Sequence, residues 1–264
     1  MTRAGTPDKV TRDWVDVQVA EQGSASTMPA YLARPAAPGT YPNVIVGFEM
    51  FGVTEYIRAV TDRVAGLGYT AVAPDFYHRL GNRIDLPATS AGRDRGLGLL
   101  QELHREGALR DMGALLGYLS TLERGCTRTA MIGLSVGGHL AYYAATQLPL
   151  AALAVFYPGW LTDTGIALSR PEPTLTLTPA IARLGTRVLF LLGEADHLFT
   201  AAQRTQIAEQ LRDAGVDHEL VVYPDAPHGF FCHERDTFRP AAAKDAFGRV
   251  AALLATELAP GRGG

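Results

Sequence analysis

Short continuous runs of hydrophobic residues recur along the chain, and between them hydrophobic residues are spaced as on one face of a helix. The runs are rich in Val, Ile and Leu, which is typical of parallel strands covered on both faces. They occupy residues 44–48, 70–73, 129–133, 151–156, 187–192 and 218–222, and the helical segments occupy 55–67, 99–122, 136–147, 201–214 and 241–258. This alternation predicts an α/β protein with a mostly parallel, twisted sheet and helices on both faces.

The N-terminal region has a different pattern, in which hydrophobic and polar positions alternate. Residues 14–19 alternate first, a turn region follows at residues 21–27, and residues 30–33 return as a second stretch. Such alternation on either side of a turn is typical of antiparallel strands. We therefore expect a short antiparallel edge at the N-terminus of the sheet.

Two stretches, residues 79–98 and 158–185, show neither pattern and are expected to be irregular. Each follows a predicted strand, at the end of the sheet where ligands bind in open α/β proteins. They are candidate pocket walls. The alternative is that both are surface loops without a role.

Composition narrows the class of protein. The chain has 264 residues, enough for one domain or two, with 24 basic and 27 acidic residues and no basic stripe that would favour nucleic acid. Residues 1–10 lack the hydrophobic core of a signal peptide, and no hydrophobic run is long enough to span a membrane. We expect a cytoplasmic protein with neither nucleic acid nor membrane as a partner, either monomeric or homodimeric. Its two cysteines, Cys126 and Cys232, exclude a disulfide scaffold.

A candidate nucleophile lies in the sequence Gly133-Leu-Ser135-Val-Gly137, a G-x-S-x-G pattern. It follows a predicted strand and opens a predicted helix, which is the setting of a nucleophile turn. Small neighbours are needed because the turn holds the serine in a strained conformation. The backbone N–H of Val136 is then expected to face a developing oxyanion. The alternative is a tight glycine turn with a capping serine.

A serine hydroxyl needs a base, and His228 is the strongest candidate among seven histidines. It lies in a turn-forming loop, Tyr223-Pro-Asp-Ala-Pro-His-Gly-Phe230, after the last predicted strand. Of the alternatives, His139 is expected to pack or cap within its helix, and His197 is expected to face solvent.

The third group must hold the tautomer of the base and stabilise the imidazolium. Asp196 follows the predicted strand at residues 187–192, and Glu194 and Asp163 are the alternatives. The chain order Ser135, Asp196, His228 is that of the α/β-hydrolase fold. With this order, residues 1–264 are predicted to form a single α/β-hydrolase domain.

These residues resemble the dienelactone hydrolase family of the α/β-hydrolase superfamily, from about Asn43 to about Leu258. The matching stretches are Glu49-Met-Phe-Gly-Val53, Ala73-Pro-Asp-Phe-Tyr77, the nucleophile turn, Gly193–Asp196 and Ala226-Pro-His-Gly-Phe230. The first of these is the most discriminating, because generic esterases carry a His-Gly type loop there. The resemblance implies that the Met50 N–H is a second oxyanion donor beside that of Val136.

The chain departs from the family at the nucleophile, where well-known members carry a cysteine near a glutamate. Glu49 matches that glutamate, and with Ser135 as nucleophile three roles stay open for it: orienting the serine, binding substrate, or simply being buried with a hydrogen bond. The family also grips a substrate carboxylate with two arginines. Arg93 or Arg95 suits the first, but the position of the second is occupied by Cys232.

The stretch at residues 158–185 is longer than a compact member of the family needs, and its hydrophobic residues Trp160, Ile166 and Leu168 are expected to line an apolar pocket. We predict a serine hydrolase that cleaves an ester or lactone, larger and less charged than dienelactone, through an acyl-enzyme. Two rivals remain: an acyltransferase, cyclase or other biosynthetic tailoring enzyme with the same triad, and a non-catalytic binding protein. The chain lacks zinc-ligand spacings and a G-x-G-x-x-G turn, so no metal and no cofactor are expected.

Overall fold

The computed structural model describes residues 10–21, 23–123 and 128–259; Cys126 lies outside the described residues. Eight strands form one sheet in the order β1-β2-β4-β3-β5-β6-β7-β8. Strands β1 and β2 pair antiparallel to each other and β2 to β4, while all the other neighbours are parallel. The strands are β1 (Val10–Glu21), β2 (Ser24–Pro35), β3 (Asn43–Gly47), β4 (Thr70–Pro74), β5 (Thr129–Leu134), β6 (Ala152–Phe156), β7 (Arg187–Gly193) and β8 (His218–Tyr223).

The helices lie on both faces of this sheet, as predicted. They are α1 (Glu55–Ala65), α2 (Ser90–Leu100), α3 (Arg105–Leu122), α4 (Val136–Gln147), α5 (Thr178–Leu184), α6 (Ala201–Asp213) and α7 (Pro240–Glu257). From β3 the chain crosses to β4 on one side, and from β5 it crosses to β6 on the other. Because such crossovers are right-handed, this reversal places α1 and α4 on opposite faces.

Side-chain contacts identify the partners of α1 and α4 on each face. The Arg63 guanidinium of α1 lies 3.9 Å from the centre of the Phe247 ring of α7, and Arg105 at the start of α3 lies 5.1 Å from the Tyr143 ring of α4. The point of reversal lies between β3 and β5. Ligands bind beyond the carboxyl ends of strands at such a point.

The strands of the parallel part are buried almost throughout. Every residue of β3, β4, β5 and β6 is buried, which explains their continuous hydrophobic runs. The outermost strand β8 is only partly buried and ends the sheet. Within the described residues, we find no helix with the length and hydropathy needed to cross a membrane.

The N-terminal hairpin is longer than the sequence pattern predicts. Its two strands have twelve residues each, and pairing continues to Glu21 and Ser24, within the stretch that was expected to be a turn. Residues 24–27 continue the alternating pairing although Ser24, Ala25, Ser26 and Thr27 are small or polar. The reason is that cross-strand pairing with β1 supplies the backbone hydrogen bonds whatever the side chains are.

Three predictions about local structure are wrong in part. Residues 79–98 were expected to be irregular, but helix α2 begins at Ser90, where the Thr89 hydroxyl accepts a hydrogen bond from the Gly92 N–H. The predicted helix at residues 99–122 is two helices, because α2 ends at Leu100 and α3 begins at Arg105. The second stretch, residues 158–185, contains two short 3-10 turns and α5.

Candidate active site

Ser135 lies between β5 and α4, at the point where the sheet topology reverses. Its φ is +56°, in the region that favours glycine, and its backbone N–H bonds the Phe156 carbonyl at 3.0 Å. A Cβ on Gly137 would lie 2.4 Å from the Gly47 carbonyl carbon, and one on Gly133 would lie 2.2 Å from the Gly137 oxygen. The two flanking glycines are therefore required by the close approach of backbone to backbone.

Ser135, His228 and Asp196 form a continuous hydrogen-bonded chain. Ser135 Oγ lies 3.0 Å from His228 Nε2, and His228 Nδ1 lies 2.9 Å from Asp196 Oδ2. The other carboxylate oxygen of Asp196 accepts a hydrogen bond from the Leu198 N–H at 2.9 Å. The Asp196 side chain is fully buried, whereas 14% of the His228 side chain is exposed. Because a carboxylate accepts from Nδ1, Nε2 is free to accept the Ser135 proton.

The alternative acids and bases lie elsewhere. Glu194 and Asp163 are exposed, and Asp163 Oδ1 accepts a hydrogen bond from the nearby Gly165 N–H. His139 is buried in α4 and bonds Gly159 and Thr174, as described below. His197 is exposed, as expected, but its ring also lies 5.7 Å from the His228 ring, at the edge of the pocket.

Two backbone amides are positioned beside the serine. Val136 is the first residue of α4, so its N–H has no partner within the helix. Met50 follows β3 in a turn closed by the Gly52 N–H on the Glu49 carbonyl at 3.0 Å, and the Gly137 N–H bonds the Phe48 carbonyl at 2.9 Å. The loop that carries Met50 is thus fastened to the serine turn. No acceptor takes a hydrogen bond from either amide within residues 10–21, 23–123 and 128–259.

Glu49 is hydrogen-bonded to neither Ser135 nor His228 and is instead paired with an arginine. Its side chain is 3% exposed, one carboxylate oxygen is hydrogen-bonded to Arg235 Nη2, and the other accepts from the Tyr157 hydroxyl at 3.2 Å. The Tyr157 ring in turn lies edge-on to the His228 ring at 4.9 Å. Burial, the largest single effect, lowers the pKa of Arg235, but Glu49 together with the nearby Cys232, Tyr157 and Tyr56 raises it by more, so the net pKa lies above its usual value.

Arg235 and Tyr157 were missed by sequence reasoning. Arg235 lies seven residues after His228, and its side chain reaches the pocket where the family's second arginine was expected from position 232. Cys232 itself is 1% exposed, and burial, with a smaller effect of Glu49, raises the pKa of its thiol to about 12. The signal for Tyr157 was its position immediately after a buried strand, next to the segment already singled out.

The remaining candidate residues divide between the pocket and the rest of the fold. Arg93 and Trp160 line the pocket beside Ser135. Arg95, on the same helix as Arg93, is exposed and lies outside the pocket lining. Ile166 and Leu168 were expected in the pocket wall, but they are 2% and 0% exposed and belong to the hydrophobic core beneath it.

The pocket has a volume of about 540 Å³ and opens directly above Ser135 and His228. Its walls are largely apolar, and Arg93 and Arg235 are its cationic side chains. A cavity of this size with a few convergent polar groups suits a small organic molecule.

Comparison with known proteins identifies the family. The model of the dienelactone hydrolase family matches residues 28–258. A Synechocystis protein named "Putative carboxymethylenebutenolidase" is 37% identical over 233 residues, which cover 86% of this chain and 91% of that protein. Carboxymethylenebutenolidase 1 of Cupriavidus pinatubonensis is 30% identical over 227 residues, covering 86% and 90%.

Solved structures give the same result. The crystal structure of a "Putative Dienelactone Hydrolase" from Klebsiella pneumoniae superposes with a TM-score of 0.81 at 28% identity, covering 94% of this chain and 99% of that one. The predicted α/β-hydrolase fold and the predicted family are both confirmed. The chain belongs to the dienelactone hydrolase family of ester and lactone hydrolases.

Proposed function

We propose that the protein is a serine hydrolase that cleaves a small ester or lactone through an acyl-enzyme intermediate. The observation that carries this proposal is the hydrogen-bonded chain from Ser135 Oγ through His228 to Asp196, at the floor of an apolar pocket. Ser135 attacks the substrate carbonyl while His228 Nε2 takes the hydroxyl proton. Asp196 holds the Nδ1–H tautomer and stabilises the imidazolium that forms.

The attack turns the carbonyl oxygen into an oxyanion, which needs donors that are already in place. The backbone N–H groups of Val136 and Met50 supply them, since neither is committed to another acceptor. Preorganised donors of this kind contribute about 3 kcal/mol each to the stability of the transition state.

The tetrahedral intermediate collapses when the C–O bond to the leaving alcohol breaks. His228 then gives its proton to that alkoxide oxygen, which leaves an ester between Ser135 and the acyl group. Water attacks this ester with His228 again as the base, and the carboxylic acid departs as Ser135 regains its proton. For a lactone the alcohol and the acid are the two ends of one product.

The side chains that line the pocket indicate the class of substrate. Trp160, Leu198 and Leu97 present apolar surface, and Arg93 and Arg235 present positive charge. We therefore propose an ester or lactone with both a hydrophobic portion and a polar or anionic substituent. Glu49 contributes by orienting Arg235 rather than by acting on the serine.

Labelling with a fluorophosphonate probe tests the nucleophile. The protein should be labelled on Ser135, and labelling should be lost in Ser135→Ala, because only a serine activated by a base reacts at a useful rate. Ser120→Ala, at an exposed position on α3, is the matched control and should label like the wild type. A folded wild-type sample that fails to label would favour a binding protein over an enzyme.

A further inference from the structure

His139 lies on α4, the helix that follows Ser135, and both of its ring nitrogens form hydrogen bonds. It lies one turn after Ser135 and is 0% exposed. Its Nδ1 lies 2.9 Å from the Gly159 carbonyl oxygen, and its Nε2 lies 2.7 Å from Thr174 Oγ1. Helix α4 is thereby tied to both ends of one segment, residues 159–174.

The partners of His139 determine its protonation. A carbonyl oxygen only accepts, so Nδ1 must carry the hydrogen and Nε2 must accept from the Thr174 hydroxyl. Burial lowers the pKa of His139 to about 3, despite the opposing effect of the Gly159 carbonyl. The ring is therefore neutral near pH 7, and both of its nitrogens are already engaged by Gly159 and Thr174. Its role is confined to what it holds in place.

Arg105 extends this network from a second helix. Its Nη2 donates to Thr174 Oγ1 at 2.9 Å and to the Glu172 carbonyl at 2.7 Å, and its Nε donates to the Leu168 carbonyl at 2.8 Å. Thr174 is 0% exposed and links the guanidinium to the imidazole. The Thr174 hydroxyl accepts from Arg105 and donates to His139, so its two neighbours fix the orientation of its hydrogen.

The segment that this network holds carries a wall of the pocket. Trp160 follows Gly159 directly, lines the pocket and has a φ of +58°, a conformation that a tryptophan adopts only when its surroundings impose it. The Leu175 N–H bonds the Leu161 carbonyl at 3.0 Å, which closes the segment just beyond the tryptophan. Buried hydrogen bonds at both ends leave the Trp160 backbone little freedom to move.

We propose that His139, Thr174 and Arg105 form a positioning network that holds Trp160 as a rigid wall and so sets which bulky substrates the pocket accepts. This inference rests on the proposed ester or lactone hydrolysis. The network acts through Trp160, not on the reacting atoms. It therefore changes selectivity among substrates without changing the base, His228.

The sharpest test replaces Thr174, because its hydroxyl joins the other two residues. Thr174→Val keeps the shape and removes both hydrogen bonds, while Thr174→Ser keeps the hydroxyl. The measured quantity is the ratio of the kcat/KM values for 4-nitrophenyl acetate and 4-nitrophenyl benzoate. Trp160→Ala removes the indole and serves as the reference, because it shows how far this ratio moves when the wall is absent. Thr174→Val should move the ratio in the same direction, by about tenfold, the order of magnitude expected when buried hydrogen bonds are lost.

Three further results are expected if the network acts through Trp160. The change should lie mainly in KM for the benzoate, the pH profile of kcat should stay as in the wild type, and Thr174→Ser should restore the wild-type ratio. The inference is overturned if Trp160→Ala moves the ratio and Thr174→Val does not, or if Trp160→Ala leaves it unchanged. It is equally overturned if Thr174→Val slows both esters alike and shifts the pH profile.

A second readout does not depend on activity. The chain has two tryptophans, and Trp14→Phe, on β1 and outside the pocket lining, leaves Trp160 as the only indole. In that background Thr174→Val should increase acrylamide quenching of Trp160, and Thr174→Ser should not. Unchanged quenching in a folded Thr174→Val protein overturns the network. Absence of any ester turnover, with the quenching difference present, overturns the proposed function instead.

Discussion

The two histidines near the serine turn, His228 and His139, have the same number of hydrogen bonds at their ring nitrogens but different partners. Each uses both nitrogens, at distances between 2.7 and 3.0 Å. The Nδ1 of His228 faces a carboxylate, and its ring opens to the pocket. The Nδ1 of His139 faces a backbone carbonyl, and its ring is sealed from solvent.

The difference shows that the partner and the exposure of an imidazole, not its hydrogen-bond count, decide whether it can take up a proton. A carboxylate compensates the charge of an imidazolium, and a carbonyl in a sealed site does so far less well. In the proposed mechanism His228 changes its protonation state during the reaction, whereas His139 keeps the same protonation state throughout.

The largest expected effect separates the two histidines by turnover. His228→Ala should lower kcat by about 10⁴-fold or more, because it removes the base from the serine. His139→Asn keeps a donor for the Gly159 carbonyl and should stay within about tenfold of the wild type, the effect of one buried hydrogen bond. Steady-state kinetics on one ester measures both. An equal loss of kcat in the two variants would contradict the assignment of His228 as the base and His139 as a positioning residue.

The next effect concerns the carboxylate that makes His228 different. Asp196→Asn should lower kcat by about 10³- to 10⁴-fold, because an amide can hold the ring in the wrong tautomer. Glu194→Gln, two residues away and exposed, is the matched control and should change kcat by less than about twofold. A large loss in Glu194→Gln alone would transfer the role of acid to that residue.

The smallest expected effect is on the free energy of unfolding and concerns the buried ring of His139. The pKa of His139 is about 3 in the folded protein, against 6.5 for an ordinary histidine. The unfolded chain therefore binds the proton more readily, so stability is lost as the pH falls from about 6.5 towards 3. Between pH 7 and pH 5 this residue should cost about 2 kcal/mol of unfolding free energy.

Urea unfolding of the wild type and of His139→Asn at both pH values measures this loss. The variant has no titrating group at this position, so its stability should fall less between pH 7 and pH 5, although it starts lower at pH 7. Parallel losses in the two proteins would show that His139 is not held neutral by burial.

The fold could be predicted to the extent that the hydrophobic pattern records burial. The strands of the parallel sheet were located because both of their faces are covered. Helix α2 was not, because its glycines 92, 96 and 98 mask any periodicity, and Gly92 and Gly96 are needed where the helix approaches Pro87 and Met50. The break after Leu100 has neither glycine nor proline to mark it.

The candidate site likewise contains residues that the sequence predicts and residues that it does not. Ser135, Asp196 and His228 could be chosen because backbone geometry demands glycines and a set chain order, and the structure brings the three side chains together. Their catalytic roles and the oxyanion role of Met50 and Val136 stay predictions. Arg235 could not be found, because its approach to Glu49 depends on how the loop after His228 folds.

The dihedral angles of Ser135, φ +56° and ψ −119°, suit glycine better than serine. Selection for stability alone would therefore favour glycine at this position. A lineage in which the reaction no longer mattered would gain a more stable turn by replacing the serine with glycine. Retention of a serine at this position over many generations would then indicate that the reaction has been under continuous selection, even before any activity is measured.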